Sequence, residues 1–202
     1  LTHEHPDHFG SAVELKNASG GEISAHSAGA ETLRDPSKLV TKHFDFSGGS
    51  SALTRKLKTV FGKVTAVNPD SILVGGEKIE LGLSTLTAIH TGSHCAGHVM
   101  FYDDHRNALF AGDEIVESPS NPCKYIIDLT GSVERRELVL NRLLGLRIDL
   151  LAPSHDSPSV SRDVKELINR AIDANDVWKK EVYEAVNRLG EATTDEIASS
   201  VE

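Results

Sequence analysis

The sequence predicts an α+β fold in which mixed sheets are layered between helices, and three observations carry that prediction. The chain opens helix–strand–helix, continues as consecutive short β-rich runs, and closes helix–strand–helix, an order that favours stacked sheets with helical covers over a doubly wound parallel sheet. Periodicity alone does not choose between such arrangements. The first helix is expected over residues 9–19, where Ala12, Val13 and Leu15 are apolar and Gly20-Gly21 closes the element. A short strand follows at 22–25, and a brief helix at 28–34 stops before Pro36. Ser47-Gly-Gly-Ser-Ser51 reads as a flexible loop, after which Leu53, Leu57, Val60 and Phe61 fall on one helical face.

Four β-rich runs come next, at 63–68, 71–74, 78–81 and 84–90, punctuated by Asn-Pro-Asp and Gly-Gly turns. Residues 98–102 and 108–111 flank Asp103-Asp-His-Arg-Asn107 and predict a hairpin. A helix over 133–144 leads to a buried strand at 149–151, which runs into Ala152-Pro-Ser-His155. From 160 to 189 the pattern is helical and charged; Gly190 breaks it, and Thr193 is positioned to cap a last helix.

Composition narrows the function classes. The chain has 202 residues, enough for one sizeable core, with 39% hydrophobic and 25% charged residues. No run approaches the roughly 18 apolar residues of a membrane span. A net charge of -9 disfavours non-specific binding to nucleic acid. Two cysteines, Cys95 and Cys123, do not make a disulfide scaffold, so a reducing cytoplasm is the expected compartment. No targeting segment and no signal for oligomeric state are visible. The compositional oddity is ten histidines.

Their placement is informative. Thr2-His3-Glu4-His5-Pro6-Asp7-His8 puts four potential metal ligands into six residues. Zinc-like ions take imidazole nitrogen and carboxylate oxygen at about 2.0–2.2 Å. An extended segment turns His3 and His5 to the same side, and a turn into a helix brings Asp7 and His8 round, so one loop can feed two neighbouring ions. A coincidental cluster in a histidine-rich chain is the competing reading.

The pattern resembles the signature of the metallo-β-lactamase superfamily, and three later segments extend the resemblance. His90-Thr-Gly-Ser-His94-Cys-Ala-Gly97 matches the third-histidine loop, Leu109-Phe-Ala-Gly-Asp113 the bridging aspartate, and Leu150-Leu-Ala-Pro-Ser-His155 the last histidine. The resemblance implies a four-layer αββα fold over residues 1–165, with its first strands missing because only Leu1 and Thr2 precede the motif. It also implies two divalent ions, zinc first, with iron or manganese as alternatives. His3, His5 and His94 would hold one ion, Asp7, His8 and His155 the other, and Asp113 would bridge.

The activity implied is hydrolysis of an acyl substrate, a thioester or lactone as in glyoxalase II-like members, by a metal-bridging hydroxide that Asp7 orients or relieves of its proton. A small-molecule substrate is therefore expected, with Lys124 and Tyr125 where relatives place substrate contacts. True β-lactamases of the family usually have Cys at the place of Asp113. Gly92-Ser93, Cys95-Ala96 and Asp156 depart from the usual family residues and leave the subfamily open.

Two alternatives stand beside this reading. One is a metal-dependent phosphodiesterase or ribonuclease, for which Arg135, Arg136, Arg142 and Arg147 would supply a basic groove, although a solvated helix face explains them as well. The other is a truncated relative that keeps metal without turnover. Of the remaining histidines, His90 is expected behind the ligands, His98 to be structural, His105 solvated, and His26 and His43 to pack or lie at the surface. Residues 166–202 form a helical tail that faintly resembles the start of a winged-helix module, with Trp178 and Val182 turned inward. A plain helical cover or a dimer contact competes with that.

Overall fold

Strands and amphipathic helices assemble here into a five-stranded and a two-stranded sheet with helices on their outer sides, and a further two-stranded pair stands apart from both. The computed structural model describes residues 1–44, 59–61, 63–118, 121–122, 127–155 and 164–201. The elements in chain order are α1 (Pro6–Phe9), α2 (Ala12–Ser19), β1 (Ser24–His26), α3 (Ala30–Arg34), a π-helical turn (Leu39–His43), β2 (Ser71–Leu73), β3 (Lys78–Glu80), β4 (Thr85–His90), β5 (Val99–Asp103) and β6 (Ala108–Gly112). The short pair β7 (Glu117–Ser118) and β8 (Asn121–Pro122) follows, then α4 (Val133–Leu144), β9 (Leu150–Pro153), α5 (Val164–Leu189) and α6 (Thr194–Ala198).

The larger sheet has the order β3-β4-β5-β6-β9, antiparallel except for the parallel β6–β9 pair. Its outer face carries Met100, Leu109, Ala111 and Leu151, which pack against Val139, Leu140 and Leu143 of α4 and Val164, Leu167, Ile168 and Ala171 of α5. Removing leucines such as Leu109, Leu140 and Leu151 from water contributes roughly 1.5–3 kcal/mol each. The inner face presents Ala88 and Val99 to Leu73 of β2, which pairs in parallel with β1. Beyond β1, Ala25 joins Phe9, Ile23, Leu33, Leu39 and Val67 in a second core under α1 and α3. Helices, small sheet, large sheet and helices give the expected four layers.

Several expectations shift in detail. The single helix at 9–19 is two, because Pro6 starts a first turn whose Pro6 carbonyl is taken by the Gly10 amide, and a new helix begins at Ala12. The run at 63–68 is not a strand: among the described residues no edge pairs with it, and the Val67 amide donates to the Leu33 carbonyl instead. The opening segment is tied on both sides, the Leu1 amine donating to the Ser24 carbonyl and the Val99 amide to the Thr2 carbonyl. The 103–107 hairpin forms, with Asn107 at φ 51. The Ser47–Ser51 loop and Leu53 and Leu57 of the helical face after it lie outside the described residues, while Val60 and Phe61 are helical.

The tail differs in one respect. Helix α5 buries Val164, Leu167, Ile168, Ala171, Asn175 and Ala185, whereas Trp178 is 43% exposed rather than turned inward and is not among the side chains packed on the core of the large sheet. Thr193 caps α6 with a capping box to Glu196. Among the described residues no helix is long and apolar enough to cross a membrane.

Candidate metal centre

Strand ends converge at one edge of the large sheet, and that edge receives the opening segment. His5 is extended (φ -78, ψ 145), and Pro6 then starts α1, so the His8 amide reaches back to the His5 carbonyl at 3.0 Å. This turn brings Asp7 and His8 towards the same cavity as His3 and His5. The β4–β5 loop delivers His94, Asp113 follows β6, and His155 follows β9.

Two donor cages result. His3, His5 and His94 offer nitrogens within 4.8 Å of one another, as do the ligand atoms of Asp7, His8 and His155. In the first cage His5 Nδ1 and His94 Nε2 are 3.0 Å apart. In the second, His155 Nε2 lies 3.2 Å from Asp7 Oδ2 and 3.2 Å from His8 Nε2. Asp113 stands between them, 3.6 Å from His94, 3.4 Å from His8, 3.4 Å from His155 and 3.9 Å from His3. All seven ligand positions expected from the sequence are thus brought together.

The donor chemistry fits divalent ions. His3 Nε2 is buried and makes no hydrogen bond, an arrangement costly for a polar atom unless something else binds there. Burial and the surrounding imidazoles hold His3 well below its ordinary pKa, so its lone pair is available. Burial also works against a proton on His8, but hydrogen bonds to Asp113 and Asp7 outweigh it and raise His8 to about 9. The His8 hydrogen bond, against the opposing effect of burial, keeps Asp7 well below the usual carboxylate range.

A family model described as the metallo-beta-lactamase superfamily matches residues 1–155. The chain belongs to the metallo-β-lactamase superfamily. It is 30% identical over 159 residues to the acyl-coenzyme A thioesterase MBLAC2 of Bos taurus, covering 76% of this chain and 54% of the relative. It is 26% identical over 114 residues to the hydroxyacylglutathione hydrolase of Hyphomonas neptunium, covering 56% of this chain and 32% of that one. This superfamily member thus spans about half the length, or less, of these curated relatives. A metallo-beta-lactamase family protein from Thermus thermophilus has the same fold, with a TM-score of 0.69 at 20% identity over 95% of this chain and 63% of the other.

Behind the cages of this metallo-β-lactamase domain lies a layer that sequence reasoning missed in part. Asp128 accepts from His5 Nε2 at 2.9 Å and from His43 Nδ1 at 2.6 Å. Burial pushes its carboxyl up, but the hydrogen bonds from His43, His5 and Thr130 win and hold it well below the usual range. Glu114 is fully buried; burial raises its pKa against the opposing influence of Arg136 and Ser93. The Asp113 amide donates to His98 Nε2 at 3.0 Å, so His98 is structural as expected.

His90 hydrogen-bonds the Ala96 carbonyl and stacks on His26 at 3.7 Å, His43 is buried, and His105 is exposed. Arg136 is not on a solvated helix face: it is 1% exposed and donates to the Glu114 carbonyl at 2.9 Å. It follows the buried face of α4 with Val139, Leu140 and Leu143, a spacing that could have located it. Lys124 and Tyr125 lie outside the described residues.

Proposed function

We propose that this chain carries the dinuclear metal site of a hydrolase acting on an acyl thioester. The carrying observation is the convergence of His3, His5, Asp7, His8, His94, Asp113 and His155 on two adjacent cages, with a buried His3 nitrogen that has no hydrogen-bond partner. His3, His5 and His94 would hold one ion, Asp7, His8 and His155 the second, with Asp113 shared; the all-nitrogen first set favours zinc. When bound, the ions supply a water acidified from 15.7 towards about 7 and an electrophile for the carbonyl oxygen.

The chain's own residues do the rest. Asp7 is 58% exposed in its side chain at the mouth of the site and is held by His8 and His155, so its ionised carboxylate can accept a hydrogen bond from an incoming water and orient it. Phe44 and Val116 line a cavity of about 370 Å³ beside His5, His94, Asp113 and His155, and exclude water from one side of a bound acyl group. Water adds to the thioester carbonyl, the C–S bond breaks, and a proton lost by that water ends on the departing sulfur, giving a carboxylic acid and a thiol. The names of the two curated relatives support a thioester as substrate. The phosphodiesterase alternative loses support because Arg136 is withdrawn from the basic groove a polyanion would need.

The test is hydrolysis of a short acyl-coenzyme A and a hydroxyacylglutathione by the zinc-loaded chain, with metal content measured in parallel. Two zinc ions per chain are expected, and His94→Ala or Asp113→Ala should lose both metal and turnover. Undiminished hydrolysis after chelation would reject the metal mechanism. Cleavage of a bis-aryl phosphodiester with no thioesterase activity would reject the substrate class.

A further inference from the structure

We propose that Asp128, clamped by His43 and Thr130, is a positioning residue of the first cage: it accepts the His5 Nε2 proton and so fixes the tautomer whose Nδ1 lone pair faces the cage. This inference rests on the zinc-site reading above and goes beyond it.

The hydrogen bonds leave little freedom. Asp128 Oδ2 receives His5 Nε2 at 2.9 Å and His43 Nδ1 at 2.6 Å. Its Oδ1 receives the Thr130 amide and the Thr130 hydroxyl, both at 2.7 Å. An ionised carboxylate only accepts, so each imidazole nitrogen facing it must carry a proton. A neutral imidazole has one N–H, and His5 therefore turns an unprotonated Nδ1 towards His94 Nε2, 3.0 Å away. The same logic leaves His43 Nε2 as an acceptor, and the Thr32 hydroxyl donates to it at 3.0 Å.

The imidazole side of the clamp is buried, with Thr32, His43 and Asp128 at 0%, 1% and 6% exposed, and Thr130 is half-buried. Its backbone is tied to the site as well, because the Asp128 amide donates to the His94 carbonyl and the Leu129 amide to the His43 carbonyl, both at 3.0 Å. One four-residue turn thus fixes the ring of His5 and the main chain of His94. His5, His43 and Asp128 also lie within ligand distance of one another. Contacts of 2.6 and 2.9 Å are hydrogen-bond lengths, however, and a cation there would have to displace both ring protons.

Partners of this kind behind a metal-bound histidine are worth roughly 10–100-fold in metal affinity. The experiment uses the full chain loaded with zinc alone. Histidine side-chain ¹⁵N NMR should report His5 bound through Nδ1 with a slowly exchanging Nε2 proton. Chelator competition should show Asp128→Asn weakening one of two zinc ions by about 10–100-fold while the other is unchanged. In the cobalt(II)-substituted form, the visible spectrum of one site only should change. His43→Gln, which keeps a donor towards Asp128, should retain more affinity than His43→Phe.

If His5 binds through Nε2, or if Asp128→Asn binds both ions as tightly as the parent, the positioning role is overturned while the metal site stands. A parent chain that takes up no zinc overturns the functional reading itself, and this inference with it.

Discussion

Replacing Gly131 with alanine should damage the fold and the metal site together. A Cβ built on Gly131 would lie 2.1 Å from the Ser93 carbonyl oxygen, 2.7 Å from the His94 carbonyl oxygen and 2.7 Å from Ile127 Cγ1. Carbon–oxygen contacts rarely close below about 3.3 Å, so the two backbones must part by roughly 1 Å. Gly131 is not among the left-handed glycines, and the penalty is therefore collision and not dihedral strain. Overpacking of this kind costs about 1–3 kcal/mol, and a chain of this size loses roughly 2–4 °C of Tm per kcal/mol.

A Tm lower by several degrees is thus expected, together with weaker zinc binding, because the displaced carbonyls belong to the segment that carries His94. Gly145→Ala is the control. Gly145 sits at φ -82 with its nearest neighbour 3.4 Å from the new Cβ, and alanine there should be neutral or stabilising by about 0.4–1 kcal/mol. Thermal unfolding and zinc competition on both variants decide the matter. A Gly131→Ala protein with the parent's Tm and zinc affinity would refute the close-approach argument.

Three further outcomes are expected. Arg136→Met should leave Glu114 buried without its cation and lower stability by roughly 3–5 kcal/mol, read as a fall in Tm; an unchanged Tm would contradict the pairing. In the chelated protein, His8 has a folded pKa of about 9 against an ordinary 6.5, so its stabilisation is complete below about pH 6.5 and is lost as pH rises through about 9. The Tm gap between the parent and His8→Gln should accordingly shrink from pH 6.5 to 9.5, and a constant gap would tell against it. Thr193→Ala should remove the capping box of α6 at a cost of about 1 kcal/mol, visible as faster hydrogen exchange at Glu196 with zinc content unaltered.

How much of this was legible in the sequence depended on the range of the interaction. The opening ligands are local, and their spacing together with one proline-led turn is enough to place them. His94, Asp113 and His155 were legible because each sits in a recognisable context at a strand end. Asp128 was not, since its partner His5 lies 123 residues away and its own turn carries no periodic signal. Arg136 was misread although the i, i+3, i+4, i+7 spacing with Val139, Leu140 and Leu143 was visible, because a charged side chain on that face counts against burial until its buried counter-ion, Glu114, is known. Residues 63–68 carried strand-forming residue types without a strand to pair with, and composition cannot supply a neighbour.

The parallel pairing of β6 with β9 has an architectural consequence. Asp113 and His155 are held by the ends of two adjoining strands, while the described elements between them, the β7–β8 pair and α4, lie outside that sheet. The separation of those two side chains is therefore set by hydrogen-bonded ladder spacing and is independent of how long the excursion is. Outside the turn at 128–131, residues could be added to or removed from that detour, reshaping what the mouth of the cavity admits, while Asp113 and His155 keep their spacing.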